Sequence, residues 1–263
     1  MLLKKELRNN LKSFIIWNSI VVGFILIMIA IYPSFTKDMS AMNDMLKVIP
    51  ENMLKAFNMD IIDFSSILGW YATEGYMFAT ILGGCFSAIL AASIISKEES
   101  DKTAEFLLTK PISRKKIVSI KMLTVLIYIL AFNFTISLVT LIGFTSVETL
   151  NFTRWALISI GPTLLCLTFA SISFFISCFV IKARKVMTTS IGLVLGTYLL
   201  NMLSSFSKEI KFLKYITPYE YVNTKYMILY NKIPIGYLGL MFLIIIVSVL
   251  LTYRIYDKKD IEI

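Results

Sequence analysis

Six apolar runs, at residues 14–32, 70–95, 117–144, 155–181, 186–206 and 235–254, set what this chain can fold into. Each supplies about the 20 residues that a helix needs to cross roughly 30 Å of hydrocarbon. With 57% hydrophobic and only 16% charged residues, the 263-residue chain is too apolar for a water-soluble domain of its length. The predicted fold is therefore all-α and integral to a membrane, with six transmembrane helices. No internal repeat, low-complexity tract or Gly/Ser linker divides it, so residues 1–263 read as a single membrane domain.

Charge placement gives the orientation. Residues 2–12 put Leu3, Leu7 and Leu11 on one helical face and Lys4, Lys5, Arg8 and Lys12 on another, the pattern of an amphipathic helix lying in the plane of the membrane surface. No small-residue cleavage pattern follows the first run, which reads as a retained span and not a signal peptide. With six crossings both termini share one side. That side carries seventeen Lys and Arg against nine on the other, which places the termini and the 97–116 loop in the cytoplasm. The net charge of +9 thus marks topology and attraction to anionic membrane lipid, and nucleic acid is not an expected partner. Trp70, Tyr71 and Trp155 near outer span ends, and Trp17 near an inner one, fit interfacial anchors.

Several chemistries are disfavoured. Without histidine the chain lacks the usual general base and imidazole metal ligand. Glu98-Glu99 superficially suits a membrane protease, but such sites also use histidines. Cys85, Cys166 and Cys178 sit inside apolar runs without Cys-x-x-Cys spacing and read as small hydrophobes. No catalytic residues, metal site or cofactor site is expected.

The polar stretch from Ser96 to Lys116 is the one cytoplasmic loop large enough to dock a partner. Thr103 can cap a short helix, Glu105 lies in its first turn, Phe106, Leu107 and Leu108 form an apolar knob, and Pro111 ends it. Ser113 then caps a second helix that begins Arg114-Lys115-Lys116 and runs into span three. An ordinary basic inner loop is the plainer reading of the same residues.

Glu98-Glu99, followed by Lys102-Thr103-Ala104-Glu105-Phe106-Leu107-Leu108-Thr109-Lys110-Pro111-Ile112-Ser113-Arg114, resembles the coupling segment of type-2 ABC transporter permeases. Many members carry Glu, then Gly-Thr, then Glu-x-Leu-Leu and Pro-x-Ser-Arg; here Lys102 replaces the glycine. The layout of leader, six spans, coupling helix after span two and long outer segment before span six is also similar. The resemblance implies a permease subunit of an ABC exporter, coupled through Glu98, Glu99, Thr103, Glu105, Phe106, Leu107, Leu108, Pro111, Ser113 and Arg114. Its implied partners are two ATP-binding-cassette ATPase subunits and a second permease, identical or related. ATP and magnesium would reside on those ATPases, and this chain has no Gly-x-x-x-x-Gly-Lys-Ser/Thr loop of its own. A non-transporting scaffold or sensor that recruits a partner through the 97–116 loop is the alternative.

Three further features belong to the outer half. The Met-rich stretch from Pro33 to Gly69 suits short amphipathic helices with an adaptable apolar surface. Between spans five and six, residues 208–215 and the stretch from Pro218-Tyr219-Glu220-Tyr221 to Tyr230 read as short helices, and in type-2 permeases the matching region dips into the outer leaflet. Glu74, Tyr219, Glu220 and Tyr221 are candidates for a translocation path or outer gate, with an interfacial rim or belt as the alternative. Gly192 and Gly196 form a small-xxx-small pair, for packing within the chain or along a dimer seam. The sparseness of buried charge points to an amphipathic or apolar cargo, such as a peptide antibiotic, a drug or a lipid-like compound.

Overall fold

The computed structural model describes residues 2–37, 48–50, 53–54, 66–100, 112–180, 182–206 and 209–259. Among them the regular elements are all helical, and six helices are long and apolar enough to cross a membrane. The first is α1 (Leu2–Lys37). Span two is composite: α2 (Ile67–Trp70), a π-helical turn (Tyr71–Gly75) and α3 (Tyr76–Ser100). Spans three, four and five are α4 (Arg114–Thr145), α5 (Phe152–Ser177) and α6 (Ala183–Leu203). A 3-10 helix (Lys211–Ile216), α7 (Pro218–Tyr221) and α8 (Thr224–Leu229) precede the last span, α9 (Ile235–Lys258).

Span two forms the centre. Its α3 packs most extensively on α5 and α6, while α1 lies along α4 and α9 along α5. Small residues make this possible, because Ala79, Ala88, Ala91 and Ala92 are all buried and bring backbones close in a setting where apolar surface alone does not drive helices together. A Cβ on Gly84 would meet Val194 at 3.2 Å and Phe169 at 3.3 Å, so α6 and α5 close directly onto α3 there. Spans two and four are largely buried, whereas spans one, five and six turn most of their apolar side chains outward. Ile20, Ile27, Leu199, Leu243 and Leu250 are all more than half exposed, which suits a lipid-facing wall and would be an aggregation hazard in water.

The ends of the elements follow local chemistry. Ser66 accepts the Gly69 N–H at 3.1 Å, Ser113 accepts the Lys116 N–H at 3.4 Å and Asn151 accepts the Arg154 N–H at 3.2 Å, each satisfying a donor that a helix leaves open at its start. Pro218 begins α7, where a missing N–H is harmless.

Four expectations need correction. The leader is continuous with span one: α1 runs unbroken from Leu2 to Lys37, because Lys12-Ser13-Phe14 contains no residue that interrupts a helix. The charged link between spans four and five is not Lys182-Ala183-Arg184-Lys185. Instead α5 ends at Ser177, Lys182 is the N-cap of α6, and Arg184 and Lys185 sit in the first turn, where long side chains can reach polar surroundings. Tyr71 does not sit at a lipid interface; it is buried edge-on against Phe144, with ring centroids 5.2 Å apart. The stretch from Pro218 to Tyr230 is two short helices, interrupted at Val222 and Asn223, where Asn223 caps α8. Most of the Met-rich outer stretch, including Met39, Met42, Met45 and Met59, lies outside the described residues.

Candidate functional site

Two regions hold the residues singled out by sequence. At the inner end, Glu98 lies in the last turn of α3, and Ser113 and Arg114 begin α4. Glu99 belongs to α3 as well, while Thr103, Glu105, Phe106, Leu107, Leu108 and Pro111 lie outside the described residues. The structure therefore describes the two ends, or roots, that flank residues 101–111.

Each root is fastened to a different neighbour. Lys121, fully buried two turns into α4, donates from Nζ to the Glu98 carboxylate and to the Ile94 carbonyl, and stands 3.9 Å from the Glu6 carboxylate of α1. Glu6 is itself buried, and the Tyr128 hydroxyl, seven residues beyond Lys121 on the same face of α4, donates to the Leu7 carbonyl. On the other root, Arg114 Nη1 donates to the carbonyls of Lys259 at 2.6 Å and Asp257 at 3.3 Å, so a cation meets the carbonyl end of α9. Lys115 and Asp257 make an exposed pair at 3.5 Å, and the hydroxyls of Ser119 and Tyr253 are 2.7 Å apart. The first root is thus joined to α4 and, through Lys121, to α1, and the second to the end of α9.

Sequence reading missed Lys121 and Glu6. The legible signal was positional: Lys121 falls in register with Ile117, Thr124 and Tyr128, the face that α4 buries.

At the outer end, a cavity of about 60 Å³ lies between span two, α6 and the turn joining α7 to α8. Thr73, Tyr76 and Thr80 line one side, Tyr198 and Asn201 another, and Tyr219 and Thr224 close it. Among the described residues no charged side chain lines it. The hydroxyls of Tyr219 and Thr224 are buried there without a hydrogen-bond partner among the described residues, an arrangement that leaves polar capacity open to an incoming group. Desolvation by burial holds the Tyr219 hydroxyl well above the ordinary phenol value, so it is present as a neutral donor and acceptor.

The four outer candidates divide. Tyr219 alone lines the cavity, and Glu74 is half-buried on the adjacent π-helical turn, a distortion that often accompanies function. Glu220 is buried and receives hydrogen bonds from Lys214 at 3.3 Å, Asn223 at 3.1 Å and Tyr226 at 3.3 Å. It holds the outer segment together. Tyr221 donates to the Tyr215 carbonyl and stacks on Tyr237, with centroids 5.1 Å apart. A Cβ added at Gly192 or Gly196 would meet nothing within 4 Å, so this pair makes no close helix contact among the described residues.

Burial works against the Lys214 charge, yet Glu220 and its hydrogen bond outweigh it and keep the ammonium above the ordinary lysine value of 10.5. The stabilisation from this raised group is full below 10.5 and is lost as pH climbs through the raised value. The melting temperature of the native protein should therefore exceed that of Glu220→Gln by a steady margin at neutral pH. That margin should close in strongly alkaline buffer.

Residues 1–261 match the model of the ABC-2 family transporter proteins. The chain belongs to that family. No curated protein matches it. As an ABC-2 family member with six apolar membrane-length helices, it is a multi-pass permease component of an ABC transporter, and membership implies association with ATPase subunits.

Proposed function

We propose that this ABC-2 chain is half of the translocation path of an ATP-driven exporter, coupled to separate ATPase subunits through residues 98–114. Two ATPases, holding ATP and magnesium, pair with two permease copies, identical or related, with all four permease termini in the cytoplasm. Closure of the ATPases around ATP moves the coupling segments and alternates access to a path between the permeases, a shift between two states driven by their different affinities for ATP. The observation that carries this reading is the pair of anchors: Glu98 fastened to α4 and, through Lys121, to Glu6 of α1, and Arg114 fastened to the end of α9. A segment rooted this way conveys a push to four spans, which an ordinary loop does not.

The outer cavity, uncharged and lined by hydroxyls and amides, supports an amphipathic or apolar cargo such as a peptide antibiotic, a drug or a lipid-like compound. Glu74 and Tyr219 are assigned to the path, with Glu220 and Tyr221 bracing its outer gate. The open face at Gly192 and Gly196 is assigned to the seam with the second permease, where small residues permit close approach.

Leu107→Asp tests the coupling assignment, because a charge in the apolar knob opposes burial against an ATPase groove. The variant should keep its melting temperature in detergent while losing co-purification with the ATPase and ATP hydrolysis. Full retention of the complex and of its activity would overturn the assignment.

A further inference from the structure

We propose that Lys121 is the positioning residue that passes movement of the inner end of span two to the α1 leader, by holding the carboxylates of Glu98 and Glu6 on one buried ammonium. This rests on the coupling reading above, in which the inner end of α3 is what the ATPases move.

A lysine two turns inside a membrane helix ordinarily extends toward water, since a charge left in hydrocarbon is costly. Lys121 instead is fully buried between helices. Three groups account for it. The Glu98 carboxylate and the Ile94 carbonyl, four residues apart on one face of α3, both accept from Nζ, and Glu6 approaches from α1 at 3.9 Å. One cation thus joins three elements: the root of the coupling segment, span three and the leader.

Stability alone does not call for such a cluster, because buried ion networks replaced by well-packed apolar residues are often neutral or better. An ion cluster offers something that apolar packing does not. Its attraction falls off gradually with distance, so Lys121 can shift its weight between Glu98 and Glu6 as α3 moves and still hold both. Interdigitated side chains must either fit or separate. The Tyr128–Leu7 hydrogen bond, on the same face of α4, keeps the leader beside the cluster while the exchange occurs.

The test uses the assembled complex in lipid nanodiscs, with spin labels at Arg8→Cys on the leader and Arg184→Cys at the start of α6, both exposed positions. The native cysteines Cys85, Cys166 and Cys178 are buried. The label-to-label distance is read without nucleotide and after trapping with ATP and vanadate. Native Lys121 and Lys121→Arg should both show a nucleotide-dependent shift, and Lys121→Met should lose it. Since Lys121→Met strands one buried and one partly buried carboxylate and can fail to fold, the charge-free triple variant Glu6→Gln/Glu98→Gln/Lys121→Met is the decisive comparison. It should fold, trap nucleotide and leave the leader still. A full shift in the triple variant overturns the role of Lys121. A native complex that traps nucleotide and shows no shift overturns the role of Lys121 as well, and one that traps none overturns the coupling reading itself.

Discussion

Lys121→Met is expected to destabilise the folded chain by about 3–5 kcal/mol, the penalty for removing one partner of a buried ion cluster. The replacement is close in length and apolar, so lost packing contributes little. What remains is the 20% exposed Glu98 carboxylate and the 9% exposed Glu6 carboxylate, deprived of the ammonium between them, with the buried Glu6 carrying most of the penalty. The measurement is thermal unfolding in detergent, followed through the near-ultraviolet signal of the three tryptophans. Glu6→Gln/Glu98→Gln/Lys121→Met should recover most of the loss, since it leaves no charge without a partner. Failure of that recovery would mean that Lys121 acts by shape and not by charge.

Gly161→Val should be nearly as damaging, by about 2–6 kcal/mol when overpacking and a lost buried hydrogen bond are combined. The α5 backbone at Gly161 is the floor over which the Tyr76 hydroxyl reaches the Val222 carbonyl, at 2.7 Å. A Cβ there runs into that hydroxyl and stands 2.9 Å from the Met227 methyl. The tyrosine ring is buried and held by that bond, so relieving the clash breaks it and lets the α7–α8 turn lift away from span two. Faster amide exchange across Thr224–Leu229 accompanying the fall in melting temperature would report that lifting. Tyr76→Phe in the same chain removes the clashing oxygen and should return part of the stability, though not the tether. A melting temperature unchanged by Gly161→Val would contradict the packing described.

How much of this was legible beforehand follows from the range of each interaction. The six spans were, because a run of about 20 apolar residues has few alternatives in a chain this hydrophobic. Ser113 and Arg114 were legible because capping is decided within one turn, and Ser113 does hold the Lys116 N–H. The break between spans four and five was misplaced, since Arg184 and Lys185 look like a loop by charge while their backbone is already helical. The leader was read as a separate helix from its leucine face, a pattern that says how a helix is wetted and not where it stops.

At the functional regions the omissions arise from packing and not from sequence pattern. Lys121 is separated from Glu98 by 23 residues and lies against α1 as well, a convergence that only packing creates. The π-helical turn carrying Glu74 leaves no trace in residue pattern. Tyr219 and Glu220 were expected together in a translocation path or outer gate, and neighbours on one short helical turn face different ways: Tyr219 lines the cavity, and Glu220 turns to Lys214, Asn223 and Tyr226.

The most direct test of the central claim is purification of the tagged native chain from its own membrane in mild detergent, with identification of what accompanies it and an assay of ATP hydrolysis. A permease half coupled through residues 98–114 should arrive with an ATPase subunit bearing its own Gly-x-x-x-x-Gly-Lys-Ser/Thr loop, and the preparation should hydrolyse ATP. Recovery of the chain alone, or with a partner that binds no nucleotide, would contradict that account and favour a membrane scaffold that recruits its partner through the same loop.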